Sequence, residues 1–150
     1  MHSLIEGKTV LTEVRQNWAG VDALSEKLRR HAVGSMGLIG GRFPFVLADA
    51  AQNLPFLHAY GVLDIVLRQL EAEGYFTCAR KSLGHLLAAS ESAFYWKAFA
   101  LIDEGHKRRN EIAHEGQLLN RGDCWRYIDA IRDQLLAWGI IEPPRPDPSP

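Results

Sequence analysis

A chain of 150 residues, 47% hydrophobic and 23% charged, is long enough to close one hydrophobic core and offers no sign of a second domain. A net charge of -1 and a pI near 6.6 exclude a broad basic surface that coats nucleic acid, so any RNA contact has to come from a local cluster of cations. Cys78 and Cys124 stand in no metal-ligand spacing and read as two packed, reduced thiols, no apolar run reaches the roughly 18 residues of a membrane span, and Met1 to Glu6 lack the pattern of a signal peptide, so a soluble cytoplasmic chain without a membrane partner is expected.

Apolar positions Val10, Val14, Trp18 or Val21, Leu24 and Leu28 repeat at threes and fours and predict an amphipathic helix from Thr9 to His31, weakened in the middle by Gly20. The glycine-rich stretch from Val33 to Arg42 has neither a dinucleotide fingerprint nor a P-loop lysine and reads as a connector. Pro44 marks a helix start, and Pro55 is expected to kink or restart a helix. The run from Phe56 to Glu73 is the strongest core helix, apolar on more than one face and stopped by Gly74; such a helix is central in a bundle or shared with a second copy. His58 reads as a satisfied core or interface histidine. A short connection leads to a helix from Ala79 to Ala89, with Leu83, Leu86 and Leu87 as its stripe and His85 half-exposed. Ser90 to Ser92 are expected to open the next helix, which runs without a proline to Gly116, and Asp123 is expected to cap a last helix carrying Trp125, Ile128, Ile131 (or Arg132), Leu135 and Trp138. The whole is an all-α, single-domain helical bundle of about five helices over residues 1–142, followed by a Pro-rich flexible tail over residues 143–150.

The segment that carries chemistry is His106-Lys107-Arg108-Arg109-Asn110-Glu111-Ile112-Ala113-His114, at the end of the fourth predicted helix. Asn110 and His114, four apart, share a face with Lys107 and Asp103 above them. Arg109 and His114, five apart, point about 140° away from each other on a regular helix. Arg109 instead shares the stripe of Ile102, Gly105 and Ile112, close to the packed side. The same cations also suit the negative end of a helix dipole and ordinary surface pairing with Asp103, Glu111 and Glu115.

Arg109-Asn110-x-x-x-His114, near the end of a helix and followed by a further amphipathic helix, resembles the Arg-x4-His signature of the HEPN superfamily (higher eukaryotes and prokaryotes nucleotide-binding), with similarity over roughly residues 45–140. The resemblance implies a HEPN-like bundle working as a symmetric homodimer. It further implies a metal-independent endoribonuclease, a toxin or antiviral defence effector with RNA as substrate and an antitoxin or larger defence complex as partner. In that reading both motifs line one interface cleft, and the tyrosine that follows the motif histidine in some toxins is replaced here by Glu115. A non-catalytic HEPN-like module for dimerisation or for nucleotide or RNA binding is the alternative.

The residue chemistry agrees with the first reading. In RNA the 2′-hydroxyl is already the nucleophile, so an enzyme has only to move protons and stabilise charge. His114 is suited to acid/base work and Arg109 to holding phosphate oxygens through its planar fork. Asn110 can orient an imidazole or bond the phosphate, and Lys107, Arg108 and His106 are the candidate substrate-binding cations. The six histidines are scattered, with no His-Glu-x-x-His, so neither a metal nor another cofactor is expected.

Overall fold

The computed structural model describes residues 2–31, 38–40 and 45–145. Among them are five helices, α1 (Lys8–His31), α2 (Leu47–Ala72), α3 (Leu83–Ser90), α4 (Phe99–Glu115) and α5 (Arg121–Ala137), and two short strands, β1 (Leu38–Ile39) and β2 (Phe45–Val46). The strands pair antiparallel, Leu38 opposite Val46 and Ile39 opposite Phe45. Part of the predicted connector is therefore a small ribbon leading into α2. The rest of it lies outside the described residues, as do Pro44 and residues 146–150 of the predicted tail. No helix among the described residues is long and apolar enough to cross a membrane.

Helix α2 is the centre of the bundle, packed against α1, α5 and α3, while α4 lies against α5 and α3. Its buried residues, among them Phe56, Tyr60, Leu63, Val66, Leu67 and Leu70, cover several faces, which is why its apolar pattern shows no single stripe. Of the two outcomes expected at Pro55, a restart of the helix does not occur. The helix runs through it, because Gln52, Asn53, Pro55 and Phe56 are all buried and tertiary packing on both sides outweighs the lost hydrogen bond. Helix α1 buries Val14, Trp18, Val21 and Ser25 against α2. Just ahead of it, the Glu73 carboxylate at the end of α2 accepts the backbone N–H groups of Glu6 (3.0 Å) and Gly7 (2.8 Å). The N-terminal segment is also tied to the far end of the chain. Leu4 N–H donates to the Trp138 carbonyl (3.0 Å), and Gly139, with φ +66, leaves no room for a side chain beside the His2 carbonyl.

Helix α4 does not begin at Ser90 to Ser92. Ser90 closes α3, residues 91–98 are irregular, and α4 starts at Phe99 behind Ala98, which provides no side-chain cap. Tertiary contacts replace the helical ladder in that segment. Gln134, fully buried on α5, accepts Lys97 N–H (2.7 Å) and donates to the Tyr95 carbonyl (3.2 Å), and Trp96 Nε1 donates to the Ser90 carbonyl (3.2 Å). The rings of Phe94 and Trp96 pack on Trp138, tilted and edge-on respectively, with centroids 5.2 and 4.8 Å away. Helix α3 is shorter than its apolar pattern predicts, starting at Leu83 with Ser82 as its cap. The cap of α5 is Asn120, whose side chain accepts Asp123 N–H at 2.8 Å, so Asp123 sits inside the first turn rather than before it. Gly116, at φ +70, ends α4 with its N–H on the Ile112 carbonyl, as the sequence indicates. Both cysteines are free and buried.

Candidate functional site

Three residues of α4 are buried, Ile102, Gly105 and His106, and they define the side that faces the bundle. Arg109 and Ile112 continue this stripe half-buried, while Asn110 and His114 are exposed. The guanidinium of Arg109 thus starts from the packed side of the helix, as its spacing indicates.

The cations of the segment differ sharply in their surroundings. Lys107 pairs with Asp103 one turn earlier (3.1 Å), and Arg108 pairs with Glu111 (3.4 Å) and approaches Asp123 of α5 (3.9 Å). Lys107 is 72% exposed, so its pair is a weak surface contact. His106 is 9% exposed; burial, followed by the nearby charges of Arg109 and Lys107, holds its imidazole below the ordinary histidine range against the opposing pull of Asp103. His106 is therefore a neutral ring at pH 7 rather than part of a basic surface. Arg109 forms no ion pair among the described residues. Residues 106–109 thus present one uncommitted cation, not four.

That cation lines a groove of about 450 Å³ between α3 and α4, together with Ser82, Gly84, His85, His106 and Asn110. Asn110 Nδ2 lies 3.4 Å from His106 Nε2, so Asn110 engages the histidine one turn before it rather than His114 one turn after. His106 Nδ1 is buried without a hydrogen-bond partner. The Nε2 edge of the ring faces the first turn of α3, and a Cβ on Gly84 would stand 3.0 Å from it. On the other side, Ser82 Oγ is hydrogen-bonded to His85 Nδ1 and receives the His85 backbone N–H. His58, on α2, meets Asn17 of α1 (3.2 Å) and takes no part.

The structure therefore brings Arg109, Asn110 and His106 to one groove. It leaves His114 outside that groove, in the exposed last turn of α4, and Lys107 and Arg108 on carboxylates. Ser82, Gly84 and His85 join the groove although nothing in the sequence links them to residues 106–110. The only signal was Ser82 standing directly before an apolar run, the mark of a helix cap. A larger groove of about 580 Å³ lies between α1 and the end of α5, with the ion pair of Arg132 and Asp22 in its wall. Compared with protein-family models, curated proteins and solved structures, the chain finds no match.

Proposed function

We propose that the chain is a metal-independent endoribonuclease of the HEPN kind. The observation that carries this reading is Arg109, half-buried on α4, without a carboxylate among the described residues, and facing a groove that no acidic residue lines. A guanidinium in that setting is available to a phosphate. In the proposed reaction the ribose 2′-hydroxyl attacks the adjacent phosphorus and the bond to the 5′-oxygen breaks. His114 moves the proton, Arg109 holds the phosphate oxygens, and the products are a 2′,3′-cyclic phosphate and a 5′-hydroxyl. Since Arg109 and His114 leave α4 about 140° apart, the reading requires a symmetric dimer that sets Arg109 of one chain beside the partner's His114. A toxin or defence effector is the role that goes with it.

The position of His114 outside the groove favours a second reading, a HEPN-like module that binds RNA or nucleotide without cutting it. The two separate in one experiment: the purified protein and its folded His114→Ala and Arg109→Ala variants are incubated with a mixed RNA pool in EDTA. Cleavage by the wild type alone, leaving cyclic phosphate ends, supports the nuclease. RNA retention without cleavage supports the binding module, and a strict monomer at working concentration counts against the nuclease.

A further inference from the structure

Among the described residues four large hydrophobic side chains are exposed, and the two aromatic ones, Tyr75 and Tyr95, line the same groove. It measures about 390 Å³ and lies between the turn after α2, residues 93–95 and the end of α5. Both tyrosines are fixed from behind. The Tyr75 hydroxyl donates to the Leu4 carbonyl (2.9 Å), and its ring lies 5.6 Å from that of Phe94, which packs on Trp138. Tyr95 is 85% exposed, yet its backbone is held by Gln134, which donates to the Tyr95 carbonyl and accepts the Lys97 N–H. Along Phe94, Tyr95, Trp96 and Lys97 half-buried and exposed positions alternate, so Tyr95 and Lys97 both project away from the core. Lys97 forms no ion pair among the described residues. An aromatic ring kept in water on a pinned backbone forgoes the burial that Phe94 and Trp96 obtain beside it, and is a surface prepared for a flat partner.

We propose that this aromatic groove is a base-stacking site for single-stranded RNA, in which a nucleobase lies against the Tyr95 and Tyr75 rings and the Lys97 ammonium takes an adjoining phosphate. Charge selects this occupant. No charged residue lines the groove, so its rings accept the face of any base, and the unpaired cation beside Tyr95 suits a polyanion rather than an apolar peptide. The groove lies just ahead of α4, and Arg109 is ten residues beyond Phe99, about 15 Å along the helix. A strand that reaches both is held by a base at one end and by a phosphate at the other. The site rests on the reading of the chain as an RNA-binding protein and does not require cleavage.

The test uses a labelled single-stranded 2′-O-methyl oligonucleotide, which cannot be cut because the attacking hydroxyl is blocked, so binding is read apart from cleavage. Fluorescence anisotropy with the intact protein is expected to show saturable binding that Tyr95→Ala weakens about tenfold, the size of one lost base stack, and that Tyr95→Phe retains. An abasic strand of the same length is expected to bind as weakly to the wild type as the full strand does to Tyr95→Ala. Tyr95→Ala removes an exposed ring and leaves the carbonyl bonded to Gln134, so the fold is kept. Lys97→Ala should lower the salt dependence of binding by about one phosphate contact. Absence of binding, unchanged affinity in Tyr95→Ala, or equal affinity for the abasic strand overturns the proposal. So does self-association that depends on Tyr95 while RNA binding does not, which would assign the groove to a second copy. RNA cleavage by a protein whose Tyr95→Ala variant binds as tightly leaves the nuclease standing and removes this site, whereas Tyr95-dependent binding by a protein that never cuts RNA does the reverse.

Discussion

The Tyr60 hydroxyl lies 2.0 Å from where a Cβ on Gly105 would stand. From there it donates to the Ile102 carbonyl at 2.7 Å, one turn back on α4, and the Tyr127 ring of α5 closes in at 2.8 Å from the same point. Helix α4 is seated on α2 and α5 by the absence of a side chain, immediately before His106. Gly105→Ala improves helix propensity by up to about 1 kcal/mol but forces out the Tyr60 hydroxyl or shifts α4, and a net loss of about 2–3 kcal/mol is expected. Urea unfolding measures it, and Tyr60→Phe added to Gly105→Ala should restore part of the loss. A neutral Gly105→Ala would mean that the seat is loose.

His106 sets a pH dependence. Its pKa in the folded chain is depressed, first by burial and then by Arg109 and Lys107, so the unfolded chain takes up the proton at higher pH than the folded one. Stability from this residue is complete above the ordinary histidine value of about 6.5 and falls as the pH drops below it. Unfolding free energies on either side of that value should differ more for the wild type than for His106→Gln. Equal slopes would show that the ring is not burdened by burial.

Glu73 holds the entry to α1. Burial alone would raise its pKa, yet the hydrogen bonds from Gln69, Glu6 and Gly7 prevail and lower it. Its contribution is present above the ordinary carboxylate range and is lost as the pH falls through the depressed value. Glu73→Ala is expected to cost about 1 kcal/mol, as loss of a helix cap does, and Glu73→Gln less, because one acceptor remains. Thermal melts of the two variants check the order.

Asn53 fastens the loop between α4 and α5. Buried on α2, it donates to the Leu119 carbonyl (2.9 Å) and accepts Leu119 N–H (3.0 Å). Asn53→Ala strands both backbone groups, at a cost of about 2–4 kcal/mol. Hydrogen exchange at Leu119 should accelerate in that variant ahead of exchange in the middle of α2; uniform acceleration would contradict a local fastening.

Where local pattern and tertiary packing agree, the sequence was readable. The stripe of α1, the core half of α2, the face of α5 and the stops at Gly74 and Gly116 follow from periodicity and glycine chemistry alone. The position of Arg109 on the packed side of α4 followed from its spacing to Ile102, Gly105 and Ile112. The start of α4 was not readable, because Gln134 and the aromatic rings around Trp138 hold residues 94–97 out of a helix that their propensities would allow. At Pro55 a restart fails for the converse reason: burial keeps the helix going where local chemistry allows a break. The groove was hidden because Ser82 to His85 and His106 to Asn110 meet only through the packing of α3 on α4, which no spacing along the chain encodes.

The hydrogen bond from Leu4 to the Trp138 carbonyl, with Gly139 closed over His2, joins positions separated by nearly the whole chain. Such a closure has the largest loop entropy to overcome and gains nothing until the intervening helices are in place. The seam is thus expected to open before the centre of the bundle, and hydrogen exchange at the Leu4 amide faster than in the middle of α2 is the result that would show it.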